Sequence, residues 1–278
     1  WWVVVNQIGT LLFHSVALIV VNLLFGATSA GQYAIPLQLV LLLQAVAGIL
    51  SGVLMPTILS FYARGQTDTL IRITKSAVKL MGLSMALPIG LVCGLAPQIL
   101  TVWVGPEFAV LAPLILLLTF HLSVNLAVLP LFSINVAYNR VRVPGAATLL
   151  LGVGNITLAV ALPLLTGWGY YGVAAAGAIV LTLKNFFFTP WYATKVLGVE
   201  VQTFTPSILS GIFATILVGI VALALASLVE VASLSMLVVA GMVVSVAYLP
   251  LVWKVGLNGY ERRLFESYIP SKFRRLAA

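Results

Sequence analysis

The chain has 278 residues, of which 62% are hydrophobic and 7% are charged, and its formal net charge is +8. Soluble domains carry roughly 25% charged residues, and a soluble chain of this size could not bury so much apolar surface, so the composition excludes an ordinary soluble protein. A single cysteine, Cys93, excludes an internal disulfide and a cysteine-based metal cluster. We expect no nucleic-acid partner, because the basic residues lie beside apolar stretches, where anionic lipid is the simpler partner.

Eight apolar stretches follow one another along the chain, each long enough to cross the hydrocarbon core as a helix. In chain order they are Trp2–Phe25, Tyr33–Phe61, Leu80–Trp103, Ala109–Val136, Gly145–Leu165, Gly172–Ala193, Pro206–Leu228 and Ser233–Trp253. The sequence therefore predicts an all-α, polytopic membrane helix bundle of about eight transmembrane helices.

The connectors between these stretches alternate in charge. Those after the second, fourth and sixth stretches carry Lys or Arg, as does the tail, whereas the intervening connectors carry neither. The basic residues are Arg64, Arg72, Lys75 and Lys79, then Arg140 and Arg142, then Lys195, and in the tail Lys254, Arg262, Arg263, Lys272, Arg274 and Arg275. Because cytoplasmic loops retain positive charge, the pattern predicts that both termini are cytoplasmic in a multi-pass protein of the cell (cytoplasmic) membrane.

Two basic segments have an amphipathic pattern. The first is predicted to be a short cytoplasmic helix, capped by Asp68, with Arg72, Lys75 and Lys79 near one face. The second, Asn258–Arg275, mixes aromatic and basic residues and suits a helix on the membrane surface. A solvated linker is the alternative for both segments.

Small residues at helical spacing predict close contacts between helices, because lipid-embedded helices approach best where side chains are small. The candidate contact positions are Gly48 with Gly52, Gly90 with Gly94, and Gly172 with Ala176 and Gly177.

Several polar residues lie within the apolar stretches. Asn6, Thr10 and His14 recur at four-residue steps, and His121 and Asn125 share the same spacing. Polar groups inside a membrane are costly against lipid, so these side chains should face protein or a water-filled cavity. As a set they predict a cavity that could hydrogen-bond sugar hydroxyls or a head group, and for each residue alone hydrogen bonding between helices is the alternative.

Lys184 is the one basic residue within a predicted span. At mid-membrane it would face the cavity and attract a phosphate or carboxylate. If the interface begins near Phe186, it would instead extend to the cytoplasmic head groups. The sequence leaves both placements open.

The chemistry that the sequence lacks narrows the function further. No span contains Asp or Glu, no connector offers paired carboxylates or a metal-ligand cluster, and no GxxxxGK[ST] phosphate loop is present. We therefore expect a protein that is not an enzyme and needs no cofactor or metal, and whose product is movement across the membrane.

Four short motifs, in order over residues 1–195, resemble polysaccharide flippases of the multidrug/oligosaccharidyl-lipid/polysaccharide exporter superfamily. Gly26–Ala34 resembles the family's G-x-x-x-A-G-x-Y-A turn, and Met55–Ser60 followed by Gly65–Asp68 resembles its proline-then-serine helix end. Trp103–Phe108 resembles the W-x-G-x-x-[YF] outer turn, and Asn155 with Gly167–Ala176 resembles the N…yGi-x-GaA pattern, with Ala175 where the family often has Gly.

The resemblance implies a fold of two six-helix lobes around a central cavity. Residues 1–200 would be the six-helix second lobe, and residues 201–278 two additional transmembrane helices plus a basic cytoplasmic tail, so that the first lobe would be missing. It implies a transporter that moves lipid-linked oligosaccharide, the repeat unit of a polysaccharide, by alternating access. The partners would be that substrate, membrane lipids and proteins of polysaccharide assembly. The substrate-binding candidates, chosen for their polar placement, are Asn6, Thr10, His14, His121, Asn125 and Lys184.

Other functions remain open at this point. A multidrug exporter should carry membrane-embedded acids, and a peptidoglycan-precursor flippase more cavity arginines. A membrane polymerase or ligase would normally need a large outer loop with basic or acidic residues, and the outer connectors lack basic residues. A non-transporting scaffold of polysaccharide assembly is a further alternative.

Overall fold

A computed structural model describes residues 1–229 and 231–262, except for the side chains at positions 3, 7, 11, 14 and 15. Over these ranges the chain is a helical bundle without strands, which confirms the predicted fold class. The helices are α1 (Trp2–Ala63), α2 (Thr67–Gly94), α3 (Ala96–Trp103), α4 (Ala112–Thr119), α5 (Leu122–Asn125), α6 (Leu129–Ala137), α7 (Arg142–Thr166), α8 (Tyr170–Leu183), α9 (Thr189–Leu197), α10 (Thr205–Leu228) and α11 (Leu234–Leu251). A 3-10 turn, Pro106–Leu111, precedes α4, and π-helical turns, Lys184–Phe188 and Val252–Gly256, follow α8 and α11.

Helix α1 is 62 residues long and forms the first two predicted spans. Its backbone leaves helical geometry at Gly26, where φ is 82°, a conformation that costs little only for glycine. Phe13 and Gln44 would be about 46 Å apart along a straight helix, yet both line the same cavity. The two arms of α1 therefore fold back on each other at Gly26. The described residues contain seven helical segments long and apolar enough to cross a membrane, if Pro106–Ala137 and Tyr170–Leu197 are each taken as one segment. Helix α1 is one of the seven, and counting its two arms separately gives the eight candidate spans that the sequence predicts.

Local sequence signals account for many of the helix ends. Helices α7 and α9 end at Gly167 and Gly198, which adopt the left-handed conformation with φ of 72° and 71°. The Ser233 hydroxyl accepts a hydrogen bond from the Met236 N–H and so caps α11. Helices α3, α4, α6, α9 and α10 carry proline in their first turn, where the missing N–H would have no helical partner.

The connectors that carry the basic residues gather at one end of the bundle. The Tyr62 ring, at the end of α1, lies 4.6 Å from the Tyr138 ring, in the connector before Arg140. A buried cluster at the same end joins Ile58 of α1, Leu70 of α2 and Leu197 of α9. We call this end of the bundle the basic end; that it faces the cytoplasm stays a prediction.

The predicted short helix around Asp68 is not a separate element. Helix α2 runs without interruption from Thr67 to Gly94. The capping position that we expected Asp68 to fill is occupied by Gln66, whose side chain makes no capping hydrogen bond. No proline or glycine separates the basic turns from the span before Gly82, and Leu70 is fully buried against the bundle. The basic turns are thus the first turns of a longer spanning helix.

The predicted tail helix Asn258–Arg275 lies mostly outside the described residues, which end at Arg262. The part that is described packs on protein: the Glu261 carboxylate forms an ion pair with the Lys79 ammonium of α2 at 2.8 Å. Its start is therefore docked on α2, and the predicted helix on the membrane surface stays a prediction for the remaining residues.

Glycines bring α2 and α10 into backbone contact. A Cβ built on Gly94 would lie 2.5 Å from the Gly219 carbonyl oxygen, and one built on Gly90 would lie 2.6 Å from the Val218 Cβ. This confirms the predicted close contact at Gly90 and Gly94. Through this contact the last two helices are joined to the preceding bundle, while the proposed division at residue 200 stays a prediction.

The other predicted glycine contacts have mixed outcomes. A Cβ built on Gly172 would lie 2.8 Å from the Pro163 backbone nitrogen of α7, so the prediction at Gly172 is confirmed. The prediction at Gly48 and Gly52 is wrong, because a Cβ at either would meet nothing within 4 Å. Both are exposed on α1, and Gly48 lines the cavity described below. Glycine at helical spacing is thus also compatible with an open helix face.

Candidate functional site

A cavity of about 570 Å³ lies between the two arms of α1 and the helices α5 to α9. Its polar wall residues are Asn6, Thr10, Gln44, Ser51, Asn125, Ser133, Asn135, Thr148, Lys184, Asn185, Thr189 and Tyr192. Its apolar wall residues include Phe13, Met55, Phe132 and Phe188. Amide and hydroxyl groups beside aromatic and aliphatic walls suit an uncharged polar ligand such as a sugar, which presents hydroxyls on its edges and apolar faces between them.

The structure brings four of the six predicted site residues into this one wall, although they come from three separate parts of the chain. They are Asn6, Thr10, Asn125 and Lys184. His121 lies outside this wall and lines a small adjoining pocket instead, together with Gln44. The side chain of His14 lies outside the described residues.

A hydrogen-bonded chain of side chains crosses from α5 to α9. The Asn125 Nδ2 lies 2.6 Å from His121 Nδ1, and the Asn185 Nδ2 donates to Asn125 Oδ1 at 3.1 Å. The Thr189 hydroxyl then donates to Asn185 Oδ1 at 3.0 Å. Asn125 is buried, so these hydrogen bonds fix the orientation of its amide. Asn125 thus both forms a hydrogen bond between helices and lines the cavity.

Lys184 is the only charged residue among the described residues that line the cavity. It opens the π-helical turn Lys184–Phe188, a wider turn that α-helices often carry at functional sites. The structure has Lys184 in the cavity wall, and its depth in the membrane stays a prediction. A lone ammonium group among amides and hydroxyls would attract an anionic group such as a phosphate.

The cavity occupies the half of the bundle nearer the basic end. Its wall reaches Asn135 and Pro144, which flank the connector that holds Arg140. Towards the opposite end, α1 and α8 continue from the cavity into a packed apolar cluster that includes Val21, Tyr33 and Val173. A ligand in this cavity is thus separated from the opposite end by closely packed side chains.

The chain is similar to a curated membrane protein, the uncharacterized membrane protein EpsK of Bacillus subtilis (strain 168). The two are 38% identical over 263 residues, which are 95% of this chain and 52% of the relative. The chain thus spans about half the length of the curated relative it matches. No model of a known protein family matches the chain, and no solved structure matches it.

Together, the relative and the apolar helices show that the chain is a multi-pass membrane protein. Among the described residues, no three His, Cys, Asp or Glu side chains come together in a way that could hold a metal ion. The candidate site is therefore a polar membrane cavity with one cationic side chain.

Asn185 and Thr189 are site residues that sequence reasoning missed. They are four residues apart, the same spacing that singled out Asn6 with Thr10 and His121 with Asn125, so a search for that spacing could have found them. The aromatic residues around them obscured the pattern, since Phe186 and Phe188 suggested the membrane interface.

Proposed function

We propose that the chain is part of a membrane transporter that moves lipid-linked oligosaccharide across the cytoplasmic membrane by alternating access. The observation that carries the proposal is a polar cavity that holds one ammonium group, Lys184, and is closed towards one end of the bundle by packed apolar residues. A cavity with access from one side is what an alternating-access carrier needs in each of its end states.

In this proposal the uncharged polar residues contact sugar hydroxyls and Lys184 contacts the phosphate groups of the lipid carrier. The chain makes and breaks no bonds, which agrees with a site made of amides, hydroxyls and one amine. The basic end faces the cytoplasm, so the cavity would accept substrate from the cytoplasmic leaflet. The resemblance of Gly26–Ala34 and Trp103–Phe108 to flippase turns supports this substrate class.

A complete carrier of this kind would need a second lobe besides this chain. Alternating access in repeat-built carriers needs two lobes that rock about a shared site, and the resemblance identifies this chain with the second lobe and two appended helices. We therefore expect the chain, reconstituted alone in vesicles, to bind substrate without moving it across the bilayer. Translocation of a fluorescent lipid-linked oligosaccharide by the chain alone would contradict this.

The test of the site compares Lys184→Gln with Lys195→Gln in the intact gene of the source cell. Both variants remove one positive charge, but Lys195 lies on α9 with its ammonium 5.4 Å from the Trp191 ring and is not in the cavity wall. Losing a charge-assisted contact weakens binding by about tenfold or more, so Lys184→Gln should reduce transport and the control should not.

The readouts are surface polysaccharide and the lipid-linked repeat units that remain accessible from the cytoplasmic leaflet, with the amount of protein measured in parallel. Loss of the first and accumulation of the second support a transporter. A scaffold would need only the folded protein, so full surface polysaccharide in Lys184→Gln at normal protein amount would contradict the proposed site.

A further inference from the structure

A second polar pocket, of about 570 Å³, lies outside the cavity described above, at the basic end of the bundle. Its walls come from the first turns of α2, the first turn of α10 and the segment Asn258–Glu261. Three cationic side chains of α2, those of Arg72, Lys75 and Lys79, line it. None of these residues takes part in the proposed transport site.

One side of this pocket is fixed by the segment that follows α11. The Glu261 carboxylate accepts a hydrogen bond from the Asn258 N–H at 2.8 Å, and the Asn258 side-chain oxygen accepts one from the Glu261 N–H at 2.9 Å. This reciprocal pair is a capping box. The same carboxylate binds Lys79 at 2.8 Å and is only 2% exposed, so it ties the segment to α2.

The ion pair neutralises Lys79 and leaves two cations at the pocket mouth. Arg72 and Lys75 are exposed, and within the described residues neither has a carboxylate within 4 Å. The Arg72 guanidinium lies 4.4 Å from the centre of the Tyr260 ring, which orients it while leaving its N–H groups able to donate. Among the described residues that line the pocket, the one acidic side chain besides Glu261 is that of Asp68.

The floor of the pocket adds one hydroxyl group. Ser207, in the first turn of α10, is buried and lines the pocket, and α10 begins without a side-chain cap. Pro206 has no N–H and the Thr205 N–H already donates to the Gln202 carbonyl oxygen at 3.1 Å, so the donor that this helix start adds is the hydroxyl of Ser207. Two cations and one serine hydroxyl thus line one space.

From this arrangement we propose that the pocket binds the phosphate group of an anionic phospholipid. Phosphate is the shared chemistry, and we assign a lipid as its source because the pocket lies beside the first turn of α10, a helix long and apolar enough to cross a membrane. Two turns further along α10, Phe213 is 66% exposed and offers apolar surface for an acyl chain. Basic pockets at the cytoplasmic ends of spanning helices are suited to anionic head groups.

The experiment measures the thermal stability of the full chain, purified in a neutral detergent, as short-chain lipids are added. Dioctanoyl phosphatidylglycerol should stabilise the protein with saturation, and dioctanoyl phosphatidylcholine, which carries no net charge, should not. If inorganic phosphate stabilises the protein as well as phosphatidylglycerol does at equal concentration, the lipid assignment is wrong.

The decisive variant is the pair Arg72→Gln and Lys75→Gln, with Arg64→Gln and Arg140→Gln as the matched control at the same end of the bundle. A basic side chain near an anionic surface contributes roughly a factor of five in affinity, so the pair should weaken phosphatidylglycerol binding about 25-fold. The control pair should change it little. Equal losses in both pairs would show only a general effect of charge and would overturn the proposed site.

Asp68→Asn gives a test that misfolding cannot imitate, because it should strengthen binding. Removing this carboxylate from the pocket mouth removes a repulsion of the phosphate, so we expect phosphatidylglycerol affinity to rise by up to about fivefold. Unchanged or weaker binding in Asp68→Asn, together with unchanged binding in the Arg72 and Lys75 variant, would refute the proposal.

Discussion

The contact between α2 and α10 predicts a measurable cost for adding one methyl group at Gly94. A Cβ at this position would lie 2.5 Å from the Gly219 carbonyl oxygen and 2.7 Å from the Ala222 Cβ. Ordinary contact begins at 3.4 Å, so α10 would have to withdraw by 3.4 − 2.5 = 0.9 Å at this point. A methyl group that forces such a backbone shift costs about 1–3 kcal/mol. Gly94 is the last residue of α2, so the better helix propensity of alanine offsets little of that cost.

The assay is thermal unfolding of the purified chain in detergent, with Gly241→Ala as the matched control. Gly241 lies inside α11, and a Cβ there would meet nothing within 4 Å. Alanine at that position should be neutral or stabilising by about 0.5–1 kcal/mol. Gly94→Ala should lower the midpoint by roughly 2–10 °C relative to the unchanged protein. If both variants melt alike, α2 and α10 are not in backbone contact and the reasoning about the last two helices fails.

Two further predictions test the site and the topology. Asn125→Ala and Asn185→Ala should each lower the free energy of unfolding by about 1–2 kcal/mol. Because both variants remove the same hydrogen bond, the double variant should lose roughly 0.6 kcal/mol or more less than the sum of the two single losses. Strictly additive losses would show that the bond is not formed. In a cysteine-free background, a membrane-impermeant maleimide should reach Gln66→Cys and Arg140→Cys from the cytoplasmic face alone and Trp168→Cys from the outer face alone; labelling of the first two from opposite faces would refute the predicted orientation.

Hydrophobicity and helix-end residues made most of the spans predictable. The stretch Gly145–Leu165 became α7, Arg142–Thr166, and Pro206–Leu228 became α10, Thr205–Leu228. The glycine after α7 and the proline at the start of α10 are local signals, so no knowledge of neighbouring helices was needed. The prediction of a separate short helix at Asp68 was wrong because it depended on tertiary contacts that the sequence does not reveal. Leu70 is buried against the bundle, and these residues form the first turns of α2.

The site could be predicted only in part. Polarity within an apolar stretch identified Asn6 and Asn125, since a lipid-facing amide is costly wherever the helix lies. That Asn125 meets Asn185 depends on how α5 packs against the turn after α8, across 60 positions of sequence. Periodicity within one helix carries no information about such a contact. For the same reason, the sequence could not show that His121 lines the small adjoining pocket and not the main cavity.

The cavity lies where two spanning segments depart from regular helix. The fourth segment breaks between α4 and α6, around the four-residue helix α5, and the sixth widens into the π-helical turn Lys184–Phe188. Irregular backbone at membrane depth persists only where protein or a water-filled cavity surrounds it, since lipid offers no hydrogen-bond partners. The bond between Asn125 and Asn185 joins these two irregular segments directly. A change in the helical geometry of either one would therefore shift the cavity wall on both sides. If Lys184 binds the substrate as we propose, the bound ligand would have a direct route to alter how the two segments pack.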